Sequence, residues 1–277
     1  MSDSTIDILM ITYNRPAYTR LSLTRLLETC DSSMRVWLWH NGSHAETLSV
    51  VESLKDHPRV HRFHHSPENR KLRDPTNWMY TESRGAYVSK VDDDCLVPEG
   101  WAQKLREAHE ADSRLGVIAC WHFLPEDFIP ELAGPRIASV GGGHRILRNL
   151  WVGGSAYLMK RACVDRAGPI RDDESFTSYC IRLARYGWLN GWYYPFLCQE
   201  HMDDPRVPHT ALRTDADIAA NLPLSAQQRG VTTIAAWQEQ LLRSARHVQE
   251  APLSPSYYSK WRSFLRRAWQ RARKGAA

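Results

Sequence analysis

The chain has 277 residues, of which 43% are hydrophobic and 24% are charged, a composition typical of a globular protein and unlike that of a disordered chain. We find no apolar run long enough to cross a bilayer, and residues 1–5 lack the basic start of a signal peptide. The six cysteines are scattered without a CxxC pair, which predicts reduced thiols and a cytoplasmic protein.

Strand-like and helix-like segments alternate along the first two hundred residues. Strands are predicted at 6–11, 36–39, 60–63 and 86–91, and helices at 18–28, at 46–55 and from about 75. Later strands are predicted at 116–122, 152–160 and 192–197, with a loop over 125–143 and a helix at 176–186. This alternation predicts an α/β fold with a mixed, mostly parallel sheet and helices on both faces. Helices at 215–221 and 225–248 follow the sheet.

Three consecutive aspartates, Asp92, Asp93 and Asp94, end the apolar run at 86–91. Carboxylates this close repel one another, so a bound cation is the usual reason for keeping them together. Oxygen ligands suit Mg²⁺ or Mn²⁺, and the carboxyl ends of strands are where open α/β sheets bind their ligands. The alternative is a solvated acidic turn.

The order of several short motifs resembles that of the family 2 glycosyltransferases, over roughly residues 6–201. The motifs are Ile11-Thr12-Tyr13-Asn14-Arg15-Pro16, Asn41-Gly42-Ser43, the aspartate triplet, and Asn69 and Asn77, eight apart, with Asn77 fifteen residues before Asp92. The resemblance implies the Rossmann-like GT-A fold and transfer of a sugar from a nucleotide-diphospho-sugar, with UDP, dTDP or GDP as the nucleotide. It also implies Mn²⁺ or Mg²⁺ as cofactor and a glycan or lipid-linked acceptor.

The same resemblance assigns donor-binding residues. Asp92 is expected to face the ribose or base, and Asp93 to contact the sugar or the metal. The other expected donor-binding residues are Thr12, Tyr13, Arg15, Asn41, Asn69 and Asn77. His40 stands where the family carries an acid that recognises the base, so it either contacts the base or is a core residue at a strand end.

Metal ligands are expected at two places in the sequence. By the resemblance Asp94, the last acid of the triplet, binds the ion, and His201 completes the site, since neutral imidazole is a suitable ligand for Mn²⁺. Asp203 and Asp204 are rival ligands close to His201.

An acidic cluster before the helix at 176–186 matches the family's catalytic base. Asp173 is the first choice for the base, with Asp172 and Glu174 behind it, because a single in-line displacement needs an ionised acid within reach of the acceptor hydroxyl. Acids in this position also cap a helix and offset its dipole, which is the structural alternative. Trp151, next to a glycine-rich segment, either stacks on an acceptor sugar or belongs to the core.

The net charge of +5 originates in the C-terminal tail, since residues 260–274 carry seven cations and no acid. The sequence from Ser256 to Lys274 predicts a basic amphipathic helix with interfacial aromatic side chains, the pattern of a segment lying on an anionic membrane. The alternative is a helix docked on the main domain. We expect a peripheral protein at the inner face of the cell membrane and no nucleic acid partner.

Together these features predict a metal-dependent glycosyltransferase for cell-surface polysaccharide or glycolipid assembly. We expect an inverting enzyme with Asp173 as base; the alternative is a retaining enzyme of the same fold, which would not need that base. The expected domains are a catalytic domain at 1–208 (nucleotide-binding half 1–98, acceptor half 99–208), a helical appendage at 209–250 and the basic helix at 251–277. The alternatives are a non-catalytic scaffold or nucleotide-sugar binding protein and, further off, a sugar nucleotidylyltransferase. The latter needs a glycine-rich phosphate loop after the first strand, and a dehydrogenase needs GxGxxG there; neither motif is present.

Overall fold

The computed structural model describes residues 5–221, 226 and 230–259. The strands found there are β1 (Ile6–Thr12), β2 (Met34–Asn41), β3 (Val60–Ser66), β4 (Tyr87–Asp92), β5 (Cys95–Leu96), β6 (Leu115–Ala119), β7 (Ile137–Ser139), β8 (Arg145–Asn149), β9 (Tyr157–Lys160), β10 (Leu189–Tyr194) and β11 (Glu200–His201). The α-helices are α1 (Pro16–Thr29), α2 (Ala45–Leu54), α3 (Arg73–Glu82), α4 (Trp101–Ala111), α5 (Pro130–Ala133), α6 (Arg161–Ala167), α7 (Phe176–Arg185), α8 (Asp215–Asn221) and α9 (Ile234–Glu250).

Nine strands form one sheet in the order β3-β2-β1-β4-β9-β6-β10-β8-β7. The four strands β3, β2, β1 and β4 are parallel, whereas β9 runs antiparallel to both of its neighbours. Every residue of β1 is buried, which agrees with a central parallel strand covered on both faces. The predicted mixed α/β fold is therefore confirmed.

The second half of the sheet differs in detail from the prediction. The segment 125–143, expected to be a loop, contains α5 and β7, and β8 and α6 were not predicted. Strand β10 begins at Leu189 rather than at 192, and β9 covers only the last four residues of its predicted strand. These strands are short or carry charged residues, so their hydrophobic pattern is weak.

The two faces of the sheet bury separate hydrophobic clusters, and the C-terminal helices contribute to the core as well. Trp237 of α9 packs with Leu212 and Ile218 in a small cluster of its own, while Ala245 and Val248 join one of the two large clusters. Of the predicted basic helix, the described part is a short 3₁₀ turn at Pro255–Tyr258. Residues 260–277 lie outside the described residues, and with them the charges on which that prediction depends.

Candidate active site

The aspartate triplet lies at the carboxyl end of β4, next to the central strand β1. The chain then forms β5, which pairs antiparallel with β11 so that Cys95 is opposite His201. The backbone N–H of Met202 donates to the carbonyl of Asp94 at 2.8 Å, and His201 Nε2 lies 4.0 Å from Asp94 Oδ2. This small sheet brings together two residues that are 107 positions apart in the sequence.

Asp94, His201 and Asp203 form a group that suits a metal ion. One ligand atom from each lies within 4.8 Å of the others, and the set of two carboxylates and one imidazole matches the donors that Mn²⁺ accepts. The Asp203 side chain has no exposed surface, so its carboxylate is directed into the site. Asp204, its sequence neighbour, pairs with Arg206 at 2.6 Å instead.

The side chain of Arg15 contacts the carboxylates of Asp94 and Asp203. Its guanidinium donates two hydrogen bonds to Asp203, at 2.6 and 2.9 Å, and one to Asp94 at 3.2 Å. Burial opposes the charge of Arg15, but the carboxylates of Asp203 and Asp94 raise its pKa overall. The structure therefore places Arg15, which the resemblance assigned to the nucleotide pocket, at the predicted metal ligands.

The acids of this cluster differ in electrostatic environment. Burial and the neighbouring Asp94 raise the pKa of Asp203 to about 6 and that of Asp93 to about 7. Burial also acts against ionisation of Asp94, but His201 and Arg15 hold its pKa below the usual range. Asp94 is thus the acid that keeps its charge most readily.

Asp92 and Asp93 have protein partners on either side of the cluster. Asp93 accepts hydrogen bonds from the backbone N–H of Tyr13 at 3.0 Å and from the hydroxyl of Thr19 at 3.2 Å, which fixes the turn from β1 into α1. Asp92 pairs with the buried amine of Lys90, two residues earlier on the same face of β4. Burial raises the pKa of Asp92, and Lys90 opposes this shift.

A cleft of about 400 Å³ opens beside the β1–α1 turn. Tyr13 and Asn69, both predicted to bind the donor, lie on its wall. The lining residues are Tyr13, Asn14, Gly42, Ser43, His44, Pro67 and Asn69. Gly42 has a φ of 84°, and a Cβ there would meet the Tyr13 ring at 3.1 Å, so glycine both allows this turn and leaves room for the ring.

Two of the predicted donor-binding residues are buried below this cleft. Thr12 has no exposed surface, and its hydroxyl lies 2.8 Å from Nδ1 of His40. Burial lowers the pKa of His40 to about 4, so its imidazole is neutral near pH 7, and its Nε2 has no partner in the described structure. Asn41 is also buried, and its amide bonds Trp39 and the backbone of residues 70 and 71. These side chains shape the cleft from beneath.

Asn77 on α3 holds the loop that carries the acidic cluster. Its amide exchanges two hydrogen bonds with the backbone of Ile170, at 2.8 and 2.9 Å. Within the cluster Glu174 is clamped by Arg182 at 2.7 Å, whereas Asp172 and Asp173 are exposed. Glu174 thus has a structural role in this ion pair, and the choice of base within the acidic cluster stays a prediction.

Trp151 is a core residue rather than an exposed platform for an acceptor. It is buried, and its ring centroid lies 5.4 Å from that of Tyr258 and 5.7 Å from that of His247. This burial agrees with the predicted alternative of a core position, and an acceptor contact of Trp151 stays a prediction that no observation supports.

Two side chains near the acids were not predicted from the sequence. Lys90 neutralises Asp92, and the alternation of side chains along a strand places both on one face, a signal that was present in the sequence. His122, after β6, has its ring centroid 6.5 Å from that of His201. No pattern in the sequence connects these two histidines.

The sequence itself matches a known family. Residues 7–131 fit the model of glycosyl transferase family 2, a segment that contains β1, the cleft and the aspartate triplet. Over residues 7–131 the chain therefore matches the family 2 glycosyltransferases. The prediction of a glycosyltransferase is confirmed at this level. No curated protein matches the sequence significantly.

Solved structures share the fold at low sequence identity. A mannosyltransferase from Pyrobaculum calidifontis, PcManGT, in complex with GDP-Man and Mn²⁺, superposes with a TM-score of 0.59 at 18% identity, covering 89% of this chain and 70% of its own. Staphylococcus aureus TarS 1-349 gives 0.55 at 12% identity, covering 95% and 92%, respectively. Its complex with UDP-GlcNAc gives 0.56 at 13% identity, covering 88% and 72%. The GT-A fold is thus confirmed, and among the described residues no helix is long and apolar enough to span a membrane.

Proposed function

We propose that this protein transfers a sugar from a nucleotide-diphospho-sugar to an acceptor hydroxyl and depends on Mn²⁺ or Mg²⁺. The observation that carries the proposal is the convergence of Asp94, His201 and Asp203 beside a cleft that shares the β1–α1 turn with them. Tyr13 links the two, since its side chain lines the cleft while its backbone N–H binds Asp93. Two neighbours of the same fold bind GDP-Man with Mn²⁺ and UDP-GlcNAc.

The metal would be held by Asp94, His201 and Asp203. When bound, such an ion stabilises the negative charge that develops on a departing nucleoside diphosphate. The protein groups around it then have separate tasks. Lys90 balances the charge of Asp92, and Asp93 fixes the turn that carries Tyr13.

For the acceptor side we propose Asp173 as the general base and, with it, inversion at the anomeric carbon. A base must be able to reach an incoming hydroxyl, and the Asp173 side chain is exposed, whereas that of Glu174 is only 10% exposed. The two hydrogen bonds between Asn77 and Ile170 hold the loop just before it in place. Phe176, three residues further on, approaches Gly154, which also lies near the Lys90 amine, so this loop is close to the acids of β4.

We further propose that the acceptor is a glycan or a lipid-linked sugar for surface polysaccharide or glycolipid assembly, reached at the inner face of the cell membrane. The support is the composition of residues 260–274, with seven cations interspersed with aromatic residues. Cations near an anionic leaflet contribute roughly 1 kcal/mol each.

A thermal-shift panel tests the central proposal. UDP, dTDP, GDP and CMP are added to the full chain with and without Mn²⁺, and we expect one diphosphate to raise the melting temperature only when Mn²⁺ is present. That nucleotide then identifies the donor class. If none of the nucleotides shifts the melting temperature in either condition, the proposed donor site is wrong.

A further inference from the structure

The guanidinium of Arg15 forms hydrogen bonds with carboxylate oxygen atoms that a metal ion at this site would also bind. Nη1 and Nη2 bond both carboxylate oxygens of Asp203, at 2.9 and 2.6 Å, and Nη1 also bonds Asp94 at 3.2 Å. The Asp203 side chain is fully buried and the Arg15 side chain is 20% exposed, so this contact is largely shielded from water. Two of the three candidate metal ligands therefore already have a cationic partner.

A divalent ion and this guanidinium cannot share the site without rearrangement. The bidentate arrangement takes one lone pair of each Asp203 oxygen, so an ion that binds at the remaining lone pairs would lie a few ångströms from the guanidinium. Two cations a few ångströms apart in a buried site also repel each other strongly. Binding of the ion thus requires that Arg15 move away from Asp203.

The same guanidinium also contacts the C-terminal part of the chain. Nη2 donates to the carbonyl of Asn221, the last residue of α8, at 2.8 Å. On the opposite side, Trp237 of α9 donates from its ring N–H to the carbonyl of Asp203 at 2.6 Å. The end of α8 is therefore connected to the metal ligands through Arg15, whereas α9 is connected to the Asp203 backbone directly.

We propose that Arg15 is an internal cation that holds Asp94 and Asp203 in the metal-free protein, and that a divalent ion displaces it and thereby releases the end of α8. The inference rests on the proposed metal site. Its consequence is thermodynamic, because two events that compete for one set of oxygens oppose each other: docking of α8 weakens metal binding, and metal binding weakens docking of α8.

Hydrogen–deuterium exchange of the full wild-type chain, with and without MnCl₂, tests the release. We expect the amides of α8 (Asp215–Asn221) to exchange about fivefold faster with Mn²⁺, the factor that corresponds to the loss of one hydrogen bond. Helix α7 (Phe176–Arg185) serves as the internal reference, because none of the hydrogen bonds that Arg15 donates in the described structure reaches it. Unchanged or slower exchange in α8, in protein that binds Mn²⁺, overturns the inference and leaves the metal site standing.

Mn²⁺ affinity, measured by electron paramagnetic resonance of the free ion, tests the competition independently. Arg15→Gln is expected to bind Mn²⁺ about tenfold more tightly, as for the removal of one competing charge-assisted hydrogen bond, and its α8 exchange should be fast with or without the ion. Arg20→Gln, at an exposed position of α1, the helix that Arg15 precedes, is the matched control and should bind like wild type. Equal affinities of wild type and Arg15→Gln overturn the competition, and absence of binding in every variant overturns both the inference and the metal site. The wild-type exchange experiment decides the matter even if Arg15→Gln does not fold.

Discussion

Asn77 and Ile170, 93 residues apart in the sequence, hold each other through a reciprocal pair of hydrogen bonds. The side-chain amide of Asn77 donates to the Ile170 carbonyl at 2.8 Å, and the Ile170 N–H donates back to Asn77 Oδ1 at 2.9 Å. The acidic segment 172–174 follows directly. Asn77 is thus a positioning residue for that segment.

Replacing Asn77 by Ala should lower turnover more than donor binding. The loss of both hydrogen bonds lets the acidic segment shift, and a displacement of about 1 Å costs up to roughly a hundredfold in rate. Steady-state kinetics at saturating donor, with nucleotide affinity from calorimetry, measure the two effects. Asn69→Ala, which alters the wall of the cleft instead, should show the reverse division. Weakened nucleotide binding with normal turnover in Asn77→Ala would contradict the positioning role.

Asp203 and Asp204 are adjacent, but replacing each of them by Asn should change a different property of the protein. Asp203→Asn removes a candidate metal ligand and is expected to reduce Mn²⁺ affinity at least about tenfold. Asp204→Asn loses its ion pair with Arg206, so it should lower the melting temperature while metal affinity stays unchanged. Titration with Mn²⁺ and thermal unfolding separate the two outcomes, and equal metal affinities would exclude Asp203 as a ligand.

Asp173→Asn should retain donor affinity while transfer falls by about a hundredfold or more, because the substitution removes the proposed proton acceptor. Asp172→Asn is the matched control, since that side chain is fully exposed next to Arg73. Product formation and nucleotide binding are measured in parallel. Full transfer by Asp173→Asn would remove this residue from the role of base.

His109 should make the protein sensitive to acid. The imidazole is buried, with Nε2 2.9 Å from the Leu158 carbonyl, and burial lowers its pKa to about 3. Because the folded-state pKa lies below the unfolded value of about 6.5, the stabilisation is complete above pH 6.5 and is lost as the pH falls toward 3. Urea midpoints from pH 4 to 8 should decline less steeply below pH 6.5 for His109→Gln. Parallel acid limbs for the two proteins would refute the assignment.

Deleting residues 260–277 should abolish co-sedimentation with anionic liposomes and leave nucleotide binding intact. The deletion removes seven cations while keeping Tyr258, which packs on Trp151. Liposomes of neutral lipid are the control, since they lack the surface charge that attracts the tail. Co-sedimentation that survives the deletion would reject the membrane contact.

The parallel half of the sheet was predictable because its strands are long and apolar. Residues 6–11 lie in β1 and residues 87–91 in β4, close to the predicted bounds, and strand direction then placed Asp94 at the carboxyl end of the sheet. The choice between Asp203 and Asp204 was not predictable. It depends on Arg206, which bonds both Asp204 and the distant Asp127 and so turns one acid away from the site.

Other roles were hidden because side-chain partners come from distant segments. Asn41 and Asn77 carry side chains of a type that could bind the donor. In the structure, however, both amides donate hydrogen bonds to backbone carbonyls, those of residues 71 and 170, which are distant in the sequence. Trp151 could not be distinguished from an exposed aromatic residue until the segment around Tyr258 was seen to cover it. The hydrophobic pattern over a few residues predicts helices and strands well, whereas these side-chain contacts depend on tertiary packing.

The turn between β1 and α1 has a geometric consequence for engineering and for evolution. Tyr13 borders the cleft and Arg15 touches the carboxylates, so one residue of chain separates the two. Inserting a single residue there would move both side chains out of register at once, whereas the exposed stretch around residue 57 can absorb an insertion without such a penalty. The length of this turn should therefore be far less variable than its composition.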